Sequence, residues 1–127
     1  VALIAALVFM ASGFSCSKKA AVVSRDAAVA VRAFQTVEIQ LHKDGRISDT
    51  EHRLIQQYLK AVGRSGMAID AAIGQERAVA AVDAAITSVN DMIQQGIVPL
   101  HDEQVSAQLK LAAQAIVLAF NQIKVAL

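Results

Sequence analysis

Apolar residues recur along this chain at alternating intervals of four and three. From Lys19 to His42 the series is Val23, Ala27, Ala30, Phe34, Val37 and Leu41, with Arg25, Arg32, Gln35 and Glu38 off it. That spacing is one face of an amphipathic helix. Lys43-Asp44-Gly45 closes the segment, because glycine enters the left-handed conformation that ends a helix. Ser48 and Glu51 stand in capping-box relation and open a second helix. Its stripe is Ile55, Tyr58, Val62, Ile69 and Ala72, with Ser65 in the gap. Gly63 and Gly66 interrupt it, each at about 1 kcal/mol relative to alanine, and are read as points of close helix contact.

Gly74-Gln75 separates this segment from a third, in which Val79, Val82, Ile86, Val89 and Ile93 repeat at three and four. One long bent helix over 48–95 is the alternative. Gly96 and Pro99 stop the third segment. Asp102 is an N-cap candidate for the fourth, with Glu103 in the first turn, where the helix dipole favours negative charge. The fourth stripe is Val105, Leu109, Ala112, Ile116, Ala119, Ile123 and Leu127.

Four such helices joined by short turns predict an all-α fold. The expected form is an antiparallel up-down-up-down four-helix bundle over residues 17–127. Phe34, Tyr58, Ile86 and Leu109 are expected at similar depth in its core. Composition agrees: 55% of the 127 residues are hydrophobic, only 4% aromatic, with a single proline. Alanine-rich sequence of this kind favours helix over strand. A net charge of +1, with no basic patch among stacking aromatics, argues against a nucleic-acid surface.

The apolar pattern changes character at the start of the chain. No charged residue precedes Lys18, and the run Val1–Met10 has the length of a signal-peptide core. Small residues then lead to the lone Cys16, followed by Ser17, Lys18 and Lys19. Ser12-Gly13-Phe14-Ser15-Cys16 resembles a bacterial lipobox, with Ser15 in the place directly ahead of the cysteine and Gly13 where leucine is usual. The resemblance implies that residues 1–16 are a signal peptide, that Cys16 carries lipid, and that the protein sits on a membrane of the bacterial cell envelope. Two other readings of the same residues are an uncleaved N-terminal anchor helix and a buried structural cysteine.

Candidate chemistry is sparse. Asp44, Gly45, Ile47, Ser48 and Glu51 match the second half of an EF-hand loop, but Gln40 and His42 occupy the places of its first acidic ligands. Calcium needs six to eight oxygens, so a capped helix-turn-helix connection accounts better for these residues. In an up-down bundle the first and third turns share one end. That end gathers His42, His52 and His101 with Asp44, Asp49, Glu51, Asp102 and Glu103. His42, His52, His101, Asp44 and Glu51 are therefore the candidate metal ligands, although their spacing matches no recognised site, and no bound metal is expected. The chain contains no phosphate loop, nucleophile elbow, HExxH or CxxCH motif. Tyr58, Met67 and Met92 read as core or rim residues.

These features predict no enzyme and no cofactor. They suggest a small envelope lipoprotein with a structural or binding role, whose partner is membrane lipid through Cys16 or the N-terminal helix. The alternatives are an integral or membrane-surface helical protein with an uncleaved anchor and, third, a metal protein using the histidine-rich end.

Overall fold

The structure is a computed structural model that describes residues 16–127. The apolar leader over residues 1–15, including Gly13, lies outside the described residues. Four α-helices follow one another: α1 (Cys16–Lys43), α2 (Asp49–Ala72), α3 (Ala78–Met92) and α4 (Glu103–Ala126). A π-helical turn, Ile93–Ile97, continues α3. Among the described residues there is no strand. Residues 48–95 thus form two helices rather than one bent one.

The helix boundaries follow local chemistry. Gly45 ends α1 at φ 76° and Gly74 ends α2 at φ 85°, conformations that L side chains rarely adopt. Ser48 caps α2 with a complete capping box. The Asp102 carboxylate caps α4, accepting hydrogen bonds from the N–H groups of Gln104 and Val105. Gly96 is not a simple terminator. It is buried inside the π turn, where an added Cβ would meet Ile55 Cγ1 at 3.4 Å and Tyr58 Cδ2 at 3.7 Å. These are ordinary contact distances, so α2 packs directly against this turn.

Each helix packs on its neighbours in sequence, and α1 and α4 close the ring. The packing is uneven: α1 lies most extensively on α4 and α2 on α3, whereas the α1–α2 and α3–α4 seams are looser. The core runs through Val23, Ala27, Phe34, Leu41, Ile55, Val62, Ile69, Val82, Val89, Leu109, Ile116, Phe120 and Ile123, all buried.

The apolar series give the right faces but not every position. In α2 the buried residue beside Tyr58 is Leu59, and Tyr58 is only partly buried. In α3 Ala85 and Met92 join the core, Ile86 sits at its edge, and Val79 is exposed. In α4 Ala113 is buried and Ala112 half-buried, while Leu127 at the chain end is exposed. Of the expected layer, Phe34 and Leu109 are fully buried, whereas Tyr58 and Ile86 border the core.

Two corrections concern polarity and space. Glu38, expected off the seam of α1, is fully buried. It lies four residues after Phe34 and three before Leu41, and so occupies the seam itself. Gly63 and Gly66, expected at a close helix contact, face open space: no atom stands within 4 Å of a Cβ built at either.

Candidate functional site

The end of the bundle at the first and third turns is a network of charged side chains. Its base is Glu38 of α1, whose buried carboxylate faces His52 of α2. The His52 Nδ1 lies 2.7 Å from Oε2 and 2.9 Å from Oε1. Gln56 Nε2, one turn further along α2, donates to Oε1 at 2.6 Å. A buried carboxylate is costly unless hydrogen bonds replace its hydration, and α2 supplies them from two successive turns.

His52 is held on its other side by His42. The two rings stack with centroids 3.9 Å apart and planes within 2°. His42 Nε2 in turn meets Asp49 Oδ1 at 2.7 Å. That hydrogen bond holds the Asp49 carboxyl below the usual carboxylate range, and the charge interaction with His42 adds to the effect. Each stacked imidazole therefore rests on its own carboxylate.

Glu51 joins the two turns. Its Oε1 accepts the Ser48 N–H at 3.0 Å, and Ser48 Oγ accepts the Glu51 N–H at 3.1 Å. Across the third turn, Glu51 Oε2 accepts the His101 N–H at 2.9 Å and Oε1 lies 2.7 Å from His101 Nδ1. Partial burial works against the charged form, but the hydrogen bonds from Ser48 and His101 prevail and hold Glu51 at about 2. Beside it Arg46 Nη2 donates to Asp102 Oδ2 at 3.2 Å. The Asp102 carboxyl is lowered, first by the Val105 N–H that it caps and also by Arg46.

The candidate metal ligands are thus distributed over separate pairings. His42 and His52 come together, but face to face rather than converging on a point. His101 binds Glu51, and Asp44 accepts a hydrogen bond from Gln40 at 2.9 Å. Among the described residues, no three His, Cys, Asp or Glu side chains are placed to share an ion. The EF-hand likeness dissolves in the same way, since Glu51 serves the helix cap. Glu38, Gln56 and Arg46 are the members that the sequence reading missed. For Glu38 the seam spacing was the available signal; for Arg46, nothing local pointed to a partner more than fifty residues away.

A second polar contact crosses the α1–α2 seam further along, where Ser24 Oγ donates to Asp70 Oδ1. Next to it a groove of about 190 Å³ is lined by Ala27, Val31, Val62, Met67 and Phe120, with Arg32 at its edge. Gly63 and Gly66 form part of its wall. The groove exists where these two residues lack side chains. Asp26 is nearly buried, and burial pushes its carboxyl upward. Cys16 lies in α1, at the first of the described residues.

Comparison with protein families, with curated proteins and with solved structures found no match.

Proposed function

We propose that this chain is a small, membrane-tethered helical protein of a bacterial cell envelope, attached through lipid on Cys16. Its role is structural or binding rather than catalytic. The observation that carries this reading is the order of apolar run, small residues, Cys16 and Ser17-Lys18-Lys19 in the sequence, ahead of a helix that runs on into the bundle as far as Lys43. A lipid on Cys16 would seat the bundle directly on the membrane surface, with Lys18 and Lys19 among the head groups. At about 1.5 Å per residue, the histidine-rich end would stand about 40 Å away. The cross-links from Glu51 to His101 and from Arg46 to Asp102 support the antiparallel up-down-up-down order, because they join the first and third turns. Those same side chains are engaged in bracing the bundle end, which favours a non-catalytic role.

Metabolic labelling with a fatty acid tests the proposal. Cells making the native chain should incorporate label, and Cys16→Ser should yield an unlabelled, unprocessed precursor. Label that persists in the serine variant would sink it.

A second reading draws on α4. Among the described residues this helix alone is long and apolar enough to cross a membrane, and 39% of its most apolar stretch is buried in the bundle. A chain lying in the membrane surface would use that helix. Extraction of the unlipidated variant by carbonate would favour the tethered form over this one.

A further inference from the structure

We infer that the outer face of α4 is a docking surface for α4 of a second copy of this chain, the two helices running parallel. Leu111, Leu118 and Val125 are 69%, 60% and 86% exposed. They recur every seven residues on one line, facing away from the core face that carries Val105, Leu109, Ala113, Ile116 and Phe120. Gln108, Ala115 and Gln122 alternate with them at the complementary seam positions. A repeat of seven is the period of two helices wound on each other. The helix therefore carries two seams, of which the bundle uses one.

The chemistry of this face selects its occupant. Its flanking positions are the exposed Ala107, Gln114 and Asn121 on one side; on the other, the half-buried Ala112 and the buried Ala119 and Ala126 belong to the bundle core. No seam or flanking position from Ala107 to Ala126 is charged, so two copies meet without like-charge repulsion, and the exposed Ala107 and Ala115 let the helices come close. A charged partner would find nothing here to match. Lipid hydrocarbon fits poorly too, because Gln108, Gln122, Gln114 and Asn121 would lose their water without replacement. In a parallel pair Gln108 meets Gln108 and Gln122 meets Gln122, so that each amide satisfies the other and fixes the register.

The parallel direction rests on the proposed membrane tether: two chains held in one membrane by the same end stand side by side. One helix-on-helix contact lies at the small end of specific interfaces, below about 1,200 Å². Association is accordingly weak between dispersed chains and is favoured by the high effective concentration on a shared surface.

The test is oxidative cross-linking of the full chain in phosphatidylcholine vesicles at high lipid-to-protein ratio. Single variants Leu111→Cys and Val125→Cys are compared with Asp91→Cys, an exposed position on α3, and with the native chain, which has no added cysteine and sets the background. Both seam variants should give at least fivefold more disulfide-linked dimer than either control. Adding Leu118→Glu should return both to background with helicity unchanged, since Leu118 faces solvent. Only a parallel pair brings position 111 and position 125 each to its own copy. Yields equal to the controls would overturn the inference, as would nitroxide labels at these positions that report contact with lipid-dissolved oxygen. If the dimer forms in detergent but the chain washes off vesicles, the tether fails and the α4 pairing stands.

Discussion

Glu38 and His52 form the most buried of the acid–histidine contacts among the described residues: the imidazole Nδ1 stands 2.7 Å from a carboxylate with no solvent exposure. The contact joins α1 to α2 across one of the two looser seams, near the end where the chain turns.

Removing one partner should cost more than removing the charge. His52→Ala leaves a buried carboxylate with Gln56 as its remaining support, and is expected to cost about 3–5 kcal/mol. Glu38→Leu replaces the carboxylate with an apolar side chain at a seam position between Phe34 and Leu41. It should fall within about 1 kcal/mol of the native chain. Urea unfolding of the two variants decides this. Equal losses would mean that the pair is net stabilising rather than merely self-compensating.

Glu51 makes stability depend on pH in the acid range. Its carboxyl lies at about 2 in the folded protein against 4.5 without the fold. A depressed value means that the folded state favours the ionised form. The resulting stabilisation is fully present above 4.5 and declines as pH falls from there towards 2. Glu51→Gln should flatten this part of the profile; the amide oxygen still accepts the Ser48 N–H, so at neutral pH the variant should lose about 1 kcal/mol as the charge-assisted bonds to His101 become neutral ones. Thermal melts of both proteins between pH 2 and 6 provide the measurement. Parallel profiles would show that Glu51 is not the group responsible.

The glycines divide into opposite classes. Gly63→Ala and Gly66→Ala add a methyl group into open space on a helix and should each stabilise by about 0.5–1 kcal/mol. Gly74→Ala forces a side chain into a positive-φ backbone and should destabilise by about 1 kcal/mol or more. Unfolding midpoints report the sign directly. Destabilisation by the first pair would reinstate the close helix contact that their spacing suggested.

The sequence carried the helices because periodicity and caps are local. Ser48 with Glu51, Asp102, Gly45 and Gly74 mark ends that the structure keeps. Individual core positions were less legible where alanine stands at adjacent sites, as at Ala112 and Ala113, since a small side chain biases the helix face only weakly. Glu38 was misplaced because its charge outweighed its spacing. The partners that make its burial tolerable, His52 and Gln56, belong to the next helix. The histidine-rich end was recognised as a cluster, but composition cannot distinguish imidazoles converging on an ion from imidazoles each paired to a carboxylate. That distinction lies in the angles at which three elements meet.

The π turn at Ile93–Ile97 gives the bundle one place where its length can change. Ile93, Gly96 and Ile97 are buried while Gln94 and Gln95 are exposed. The wide turn accommodates one residue beyond α-helical pitch without turning an apolar side chain outward. Deleting Gln95 would restore ordinary pitch and leave the isoleucines three apart, still on one face. Deleting Thr87 from the body of α3 would instead rotate everything beyond it by about 100° and expose half its seam. Thermal unfolding should separate the two shortened chains, with the Gln95 deletion the more stable. Single-residue changes of length are accordingly expected to be tolerated at this turn more readily than in the body of any helix.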